Sequence, residues 1–248
     1  MAVETFSLAP LFQAVGQALE DNRHSLNLAD SYNGNHGDHM VRIFLLAAQA
    51  AEAKQGLPPA EGMQLAACLL EKEKQNGSAQ VYSRGLSCIA EQFRTYEVTV
   101  NDLVNYIQGV LVDKQGKSGE AGISHQSRKS GSGFSQVGEE IQSRPTDESS
   151  SAKSGKILKA LASGLAAWGK EPDERNQKGS SLDIGSLFEF GMAYLQAKQR
   201  GGSKIEVLAD AAASVSPLSR VPHRYLSGKI AIQALLQAIQ NSSAELAG

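Results

Sequence analysis

Apolar residues recur at helical spacing along most of this chain, and nowhere does a convincing alternation of period two replace them. Leu8, Leu11, Phe12, Val15 and Leu19 stand at i, i+3, i+4 intervals, so residues 7–25 are predicted to form an amphipathic helix. Ile43, Phe44 and Ala47 share one face of a second helix over 41–54, and the run Gly56-Leu-Pro-Pro59 stops it. Pro59 suits the first turn of the next helix. Two further helices are expected over 60–75 and 78–95. Thr99 and Asp102 then read as a cap before the helical series Leu103, Tyr106, Ile107, Val110 and Leu111. Later, Ile157, Leu158, Leu161, Leu165 and Trp168 make another face. Ser181 stands as a cap before Leu182, Leu187, Phe188, Met192 and Leu195. A turn at Arg200–Lys204 leads into Ile205, Val207 and Leu208. Pro217 and Pro222 mark a loop, and Ser227-Gly228 opens a last helix carrying Ile230, Ile232, Leu235, Leu236 and Ile239. The fold class read from this pattern is all-α.

One stretch breaks the pattern. Residues 115–155 hold eleven serines and seven glycines, with only scattered large apolar residues. Such a composition cannot bury enough surface to offset its ordering entropy, so 115–153 is read as a disordered insertion in a single helical domain spanning 1–248. A chain of 248 residues is long enough to bury a full core. Its net charge of −2 supplies no basic field for nucleic acid or an anionic membrane. No segment is apolar enough to span a bilayer, and Met1–Phe6 lacks a signal-peptide pattern. Cys68 and Cys88 have no metal-ligand spacing and read as small core residues, so the expected location is the cytoplasm.

The chemistry concentrates in Asp30-Ser-Tyr-Asn33-Gly-Asn35-His36-Gly37-Asp38-His39-Met40, a polar turn with two glycines directly before a helix. Helix N-termini favour anions, so a polar turn of this kind is suited to a metal or phosphate site. Three other junctions share the type: Ser154-Gly155, Gly201-Gly-Ser203 and Ser227-Gly228. Gathered at one end of a bundle, the four could surround a nucleotide. His36 and His39 with Asp30 or Asp38 also form a donor set suited to a transition metal. His223-Arg224 could meet a phosphate.

The run Tyr32-Asn33-Gly34-Asn35-His36-Gly37-Asp38-His39-Met40 resembles the motif G-D-x-D-[HT]-G-x-N-M of the DhaL-type domain of dihydroxyacetone (glycerone) kinases, found also in fatty-acid kinases. Ser154-Gly155 resembles that family's Ser-Gly helix start, with residues 77–86 as a rival match. Gly201-Gly-Ser-Lys-Ile-Glu206 resembles its G-D-K-T-M-x-D element, and Leu226-Ser-Gly-Lys229 its D-P-G-A helix start. The resemblance covers about 7–55 and 154–240. It implies an antiparallel barrel of about eight helices, with ADP or ATP at one end joined to the motif through magnesium. It further implies a phosphoryl-transfer role beside a separate substrate-binding subunit. On that reading Asp30, Asn33, Asn35 and Asp38 would hold metal. His36, Gly37, Met40, Ser154, Gly155, Ser203, Ser227 and Gly228 would lie around the nucleotide, and no catalytic residue is assigned. Asn33 and Asn35 stand where the family carries aspartates. That departure favours, as the alternative, a relative that keeps the fold and serves as a binding or regulatory protein. A metal-dependent phosphatase built on the His/Asp cluster is a third option.

Overall fold

The computed structural model describes residues 7–111, 153, 155–157, 159–161, 163–164 and 184–245. All regular structure among them is helical: α1 (Leu8–Asp21), α2 (Arg23–Ala29), α3 (His36–Ala53), α4 (Pro59–Glu71), α5 (Gly77–Tyr96), α6 (Val100–Leu111), α7 (Ile184–Arg200), α8 (Lys204–Val215) and α9 (Pro222–Glu245). A 3-10 turn, Pro217–Arg220, links α8 to α9. Helical residues also occur within 153–164. The 115–153 insertion and Trp168 lie outside the described residues, apart from helical Lys153. No described helix is long and apolar enough to cross a membrane.

The helix starts follow from local chemistry. Ser7 caps α1 by accepting from the Ala9 N–H, and Asn76 caps α5 by accepting from Ser78 and Ala79. Pro59 opens α4 at a position where its missing N–H costs nothing. Ser203 and Glu206 close a reciprocal capping box at α8. Two sequence expectations shift. The predicted helix over 7–25 is two helices, divided at Asn22, whose side chain bonds back to the Ala18 carbonyl. The last helix begins at Pro222, not at Ser227-Gly228, because Pro222 takes the first-turn position and the helix runs on through the serine.

The helices pack in a chain of neighbours: α5 against α4, α4 against α3, α3 against α1, α1 against α9, α9 against α8 and α8 against α7. Short loops reverse direction between α3, α4 and α5. The starts of α3 and α5 therefore meet at one end, and the start of α9 joins them there. Below that end lies a core of Val15, Leu19, Leu26, Met40, Ile43 and Leu70, none more than 1% exposed. Full burial of each such side chain contributes about 1.5–3 kcal/mol. A second cluster around Phe93, Val104, Ile157 and Ile239 fills the opposite part of the molecule. Cys88 is buried as expected. Cys68 is exposed, because it falls on the outward face of α4.

Candidate functional site

The starts of α3, α5 and α9 enclose a polar cleft of about 260 Å³. His36 is its centre. As the first residue of α3 it points inward and is 3% exposed. Its Nε2 lies 2.9 Å from Ser227 Oγ, and its Nδ1 lies 3.5 Å from Ser78 Oγ. Three helix starts are thus joined through one imidazole. Burial, with the adjacent His223, pushes that imidazole down to about 4, and Asp30 only partly opposes this. His36 is therefore neutral at pH 7, accepting a hydrogen bond at one ring nitrogen and donating one from the other.

His223, in the first turn of α9, lies beside it with ring centroids 4.5 Å apart. Its Nδ1 is 3.8 Å from Asp30 Oδ1. Burial alone would raise the Asp30 carboxyl. The Tyr32 N–H at 3.0 Å, His223 and the Asn35 N–H outweigh burial and hold it below the usual carboxylate range. Arg224 completes the wall. Its buried Nε has no hydrogen-bond partner among the described residues. Its Nη2 lies close over Gly77, 3.2 Å from where a Cβ would stand. Asn33, His39 and Gln75 line the mouth, and Tyr32 and Leu28 project into solvent at 85% and 74% exposure.

The residues expected at the site do not all come together here. Asp30, Asn33, His36 and Ser227 are gathered in or against the cleft. Asp38 turns outward, accepting from Asn27 Nδ2 at 3.0 Å and standing 3.6 Å from Arg23. Asn35 is beside the cleft, and its buried Oδ1 has no partner among the described residues. Gly37 is a packing glycine: a Cβ there would sit 2.3 Å from the Arg23 carbonyl oxygen. Met40 lies fully buried in the core beneath. Gly228 faces Leu218 and an apolar cavity of about 270 Å³. Ser203 is spent on its own capping box. Gly155 is exposed, with nothing within 4 Å of its would-be Cβ, and Ser154 lies outside the described residues. Of the rival stretch 77–86, Gly77 and Ser78 line the cleft.

The expected cradle of free N–H groups is also modified. At α3, Asn27 Oδ1 accepts from Gly37 at 2.7 Å and from Asp38 at 3.3 Å. At α5, Asn76 Oδ1 takes Ser78 and Ala79. These caps occupy two of the first N–H groups of each helix, and the positive dipole ends remain directed at the cleft. Neither cap was recognised in the sequence. Asn76 directly before Gly77-Ser78 was a readable signal, but Asn27 reaches α3 only through the fold.

A second polar hub braces α9. Asp210 of α8, 6% exposed, accepts from the Tyr225 hydroxyl, from Lys229 Nζ at 2.9 Å and from Arg200 at 2.6 Å. Burial opposes its ionisation, but these partners hold it below the usual range. Tyr225 and Lys229 lie in the same opening turns of α9 as His223, Arg224 and Ser227, so the hub ties that end of α9 to α8.

Magnesium, the ion that the resemblance implies, does not fit the donor set in place. Its protein sites rely on hard carboxylate oxygens. The cleft holds one, Asp30, already engaged by a backbone N–H and His223, while Arg224 faces it as a fixed positive charge. His36 is likewise committed at both nitrogens to serine hydroxyls, which argues against the transition-metal alternative. No family model matches this chain, and no curated protein or solved structure matches it either.

Proposed function

We propose that this protein is a divergent DhaL-like module that binds a nucleotide, ADP or ATP, by its phosphate end in the cleft between α3, α5 and α9. The observation that carries the reading is the His36 junction, where one buried imidazole ties together the starts of three helices beside an arginine with an unsatisfied donor. Phosphate groups are favoured by helix N-termini and by guanidinium forks. In a phosphoryl transfer, such a site would act by orientation and charge, since the transferred group needs little covalent help. The acceptor substrate would come from a separate subunit. Tyr32, which lines the cleft and is exposed, is where it would seat.

The test is calorimetry of the full chain with ADP and with ATP, followed by turnover assays with a candidate partner. Binding without turnover would favour the second reading, a binding or regulatory protein that has kept the fold. Asn33 and Asn35 are the residues that favour it, because neither supplies the charge of the carboxylate it replaces. An absence of binding at millimolar nucleotide would end the nucleotide reading.

A further inference from the structure

The cleft has exchanged acids for donors. A nucleotide phosphate bound through a divalent ion needs a bed of carboxylates to hold the ion. Here Asn33 and Asn35 are neutral, and Asp38 is turned to Arg23 and Asn27 on the outer surface. Asp30 is occupied by the Tyr32 N–H and His223. Facing the same space are Arg224, His223 and His39, with the Gln75 amide. Arg224 carries a permanent charge and five donors in a fork that matches phosphate oxygens. Its Nε is buried without a partner among the described residues, which costs free energy until an acceptor arrives. Asn76 Nδ2, on a residue 4% exposed next to Gly77, likewise has no partner. A second cation in this space would repel Arg224, whereas an anion would satisfy it.

We propose that the cleft takes the phosphate end of its ligand directly, on Arg224 with His223, with no bridging divalent cation. This rests on the phosphate-binding reading above and adds that magnesium opposes binding. Ligand oxygens complexed by magnesium are unavailable to the guanidinium, and the complexed ligand brings positive charge toward it.

The experiment titrates the full chain with ADP, and separately with pyrophosphate, in EDTA and in excess magnesium. The expected result is tighter binding in EDTA than in magnesium. Arg224→Gln should weaken binding in EDTA by about tenfold or more, the loss expected from one charged hydrogen bond. Should that variant fail to melt cooperatively, Arg224→Lys is used in its place; it keeps the charge and loses the fork, and a severalfold loss is expected. Gly77→Ala, which crowds Nη2 without removing it, should also weaken binding. Binding of either ligand only with magnesium would overturn the inference and leave the nucleotide reading standing. Pyrophosphate binding in EDTA without ADP binding would uphold the inference and end the nucleotide reading. No binding of either ligand in either buffer overturns both. A folded Arg224→Gln protein with unchanged affinity also overturns the inference.

Discussion

Replacing Gly37 by alanine tests how the polar turn is built. A Cβ at position 37 would lie 2.3 Å from the Arg23 carbonyl oxygen, 2.8 Å from Asn27 Oδ1 and 3.0 Å from the Arg23 carbonyl carbon. Ordinary contact begins near 3.4 Å, so α2 must retreat from α3 by about 1.1 Å. The contacts are backbone and a short side chain, neither of which can swing away. Overpacking of this kind costs about 1–3 kcal/mol. The retreat also breaks the Asn27 bonds to the Gly37 and Asp38 N–H groups, at about 1 kcal/mol each. The expected destabilisation is about 3–5 kcal/mol, or a melting temperature lower by roughly 6–20 °C for a chain of this size. Urea and thermal unfolding followed by circular dichroism measure it. Gly155→Ala is the control. Its Cβ meets nothing within 4 Å, and alanine is the better helix former, so it should be neutral or slightly stabilising and leave ADP binding intact. A Gly37→Ala protein within 0.5 kcal/mol of wild type would refute the packing argument. Loss of nucleotide affinity in Gly155→Ala would restore that glycine to the site.

His36 makes stability pH-dependent. Its imidazole sits near 4 in the folded chain against 6.5 in a free histidine, so the unfolded chain binds the extra proton between those values. Stability is full above pH 6.5 and falls by about 2 kcal/mol at pH 5; His36→Gln should flatten that slope in urea titrations, and an unchanged slope would rule the assignment out. Asp210→Asn should cost about 1–3 kcal/mol by leaving Arg200 and Lys229 unneutralised, and should weaken pyrophosphate binding through displacement of α9. Wild-type affinity in that variant would show that the hub does not position the cleft. Introducing aspartate at both 33 and 35 should make nucleotide binding depend on magnesium; affinity indifferent to the ion would place those side chains away from the phosphates.

Helix periodicity needs only near neighbours, and so the all-α class was readable from positions such as Leu8, Leu11, Val15 and Leu19. So was the existence of α4 from Pro59. The turn before α3 was readable as a centre of polar chemistry, and Asp30, Asn33 and His36 do face one cleft. The helix break at Asn22 was not readable, since the apolar spacing runs smoothly past it and the break depends on a side-chain bond to Ala18.

Local sequence thus determined which segments are helices, which faces of them are apolar and where polar residues cluster. Only the tertiary structure decided which polar residues meet. The side chain of Asp38, three residues into α3, projects from a different face than His36 and finds Arg23. Ser78 and Ser227 stand 42 and 191 residues from His36, yet both touch its ring, because the helix starts that carry them close on one end of the molecule. Gly77-Ser78 and Ser154-Gly155 look alike in sequence, and the packing of α5 puts the first pair in the cleft while Gly155 stays in solvent. The sign of the site is also a tertiary property. Asp30 is buried and already engaged by its neighbours, while the half-buried Arg224 keeps a buried Nε with no partner among the described residues, and that contrast is what the proposed preference for an anion rests on.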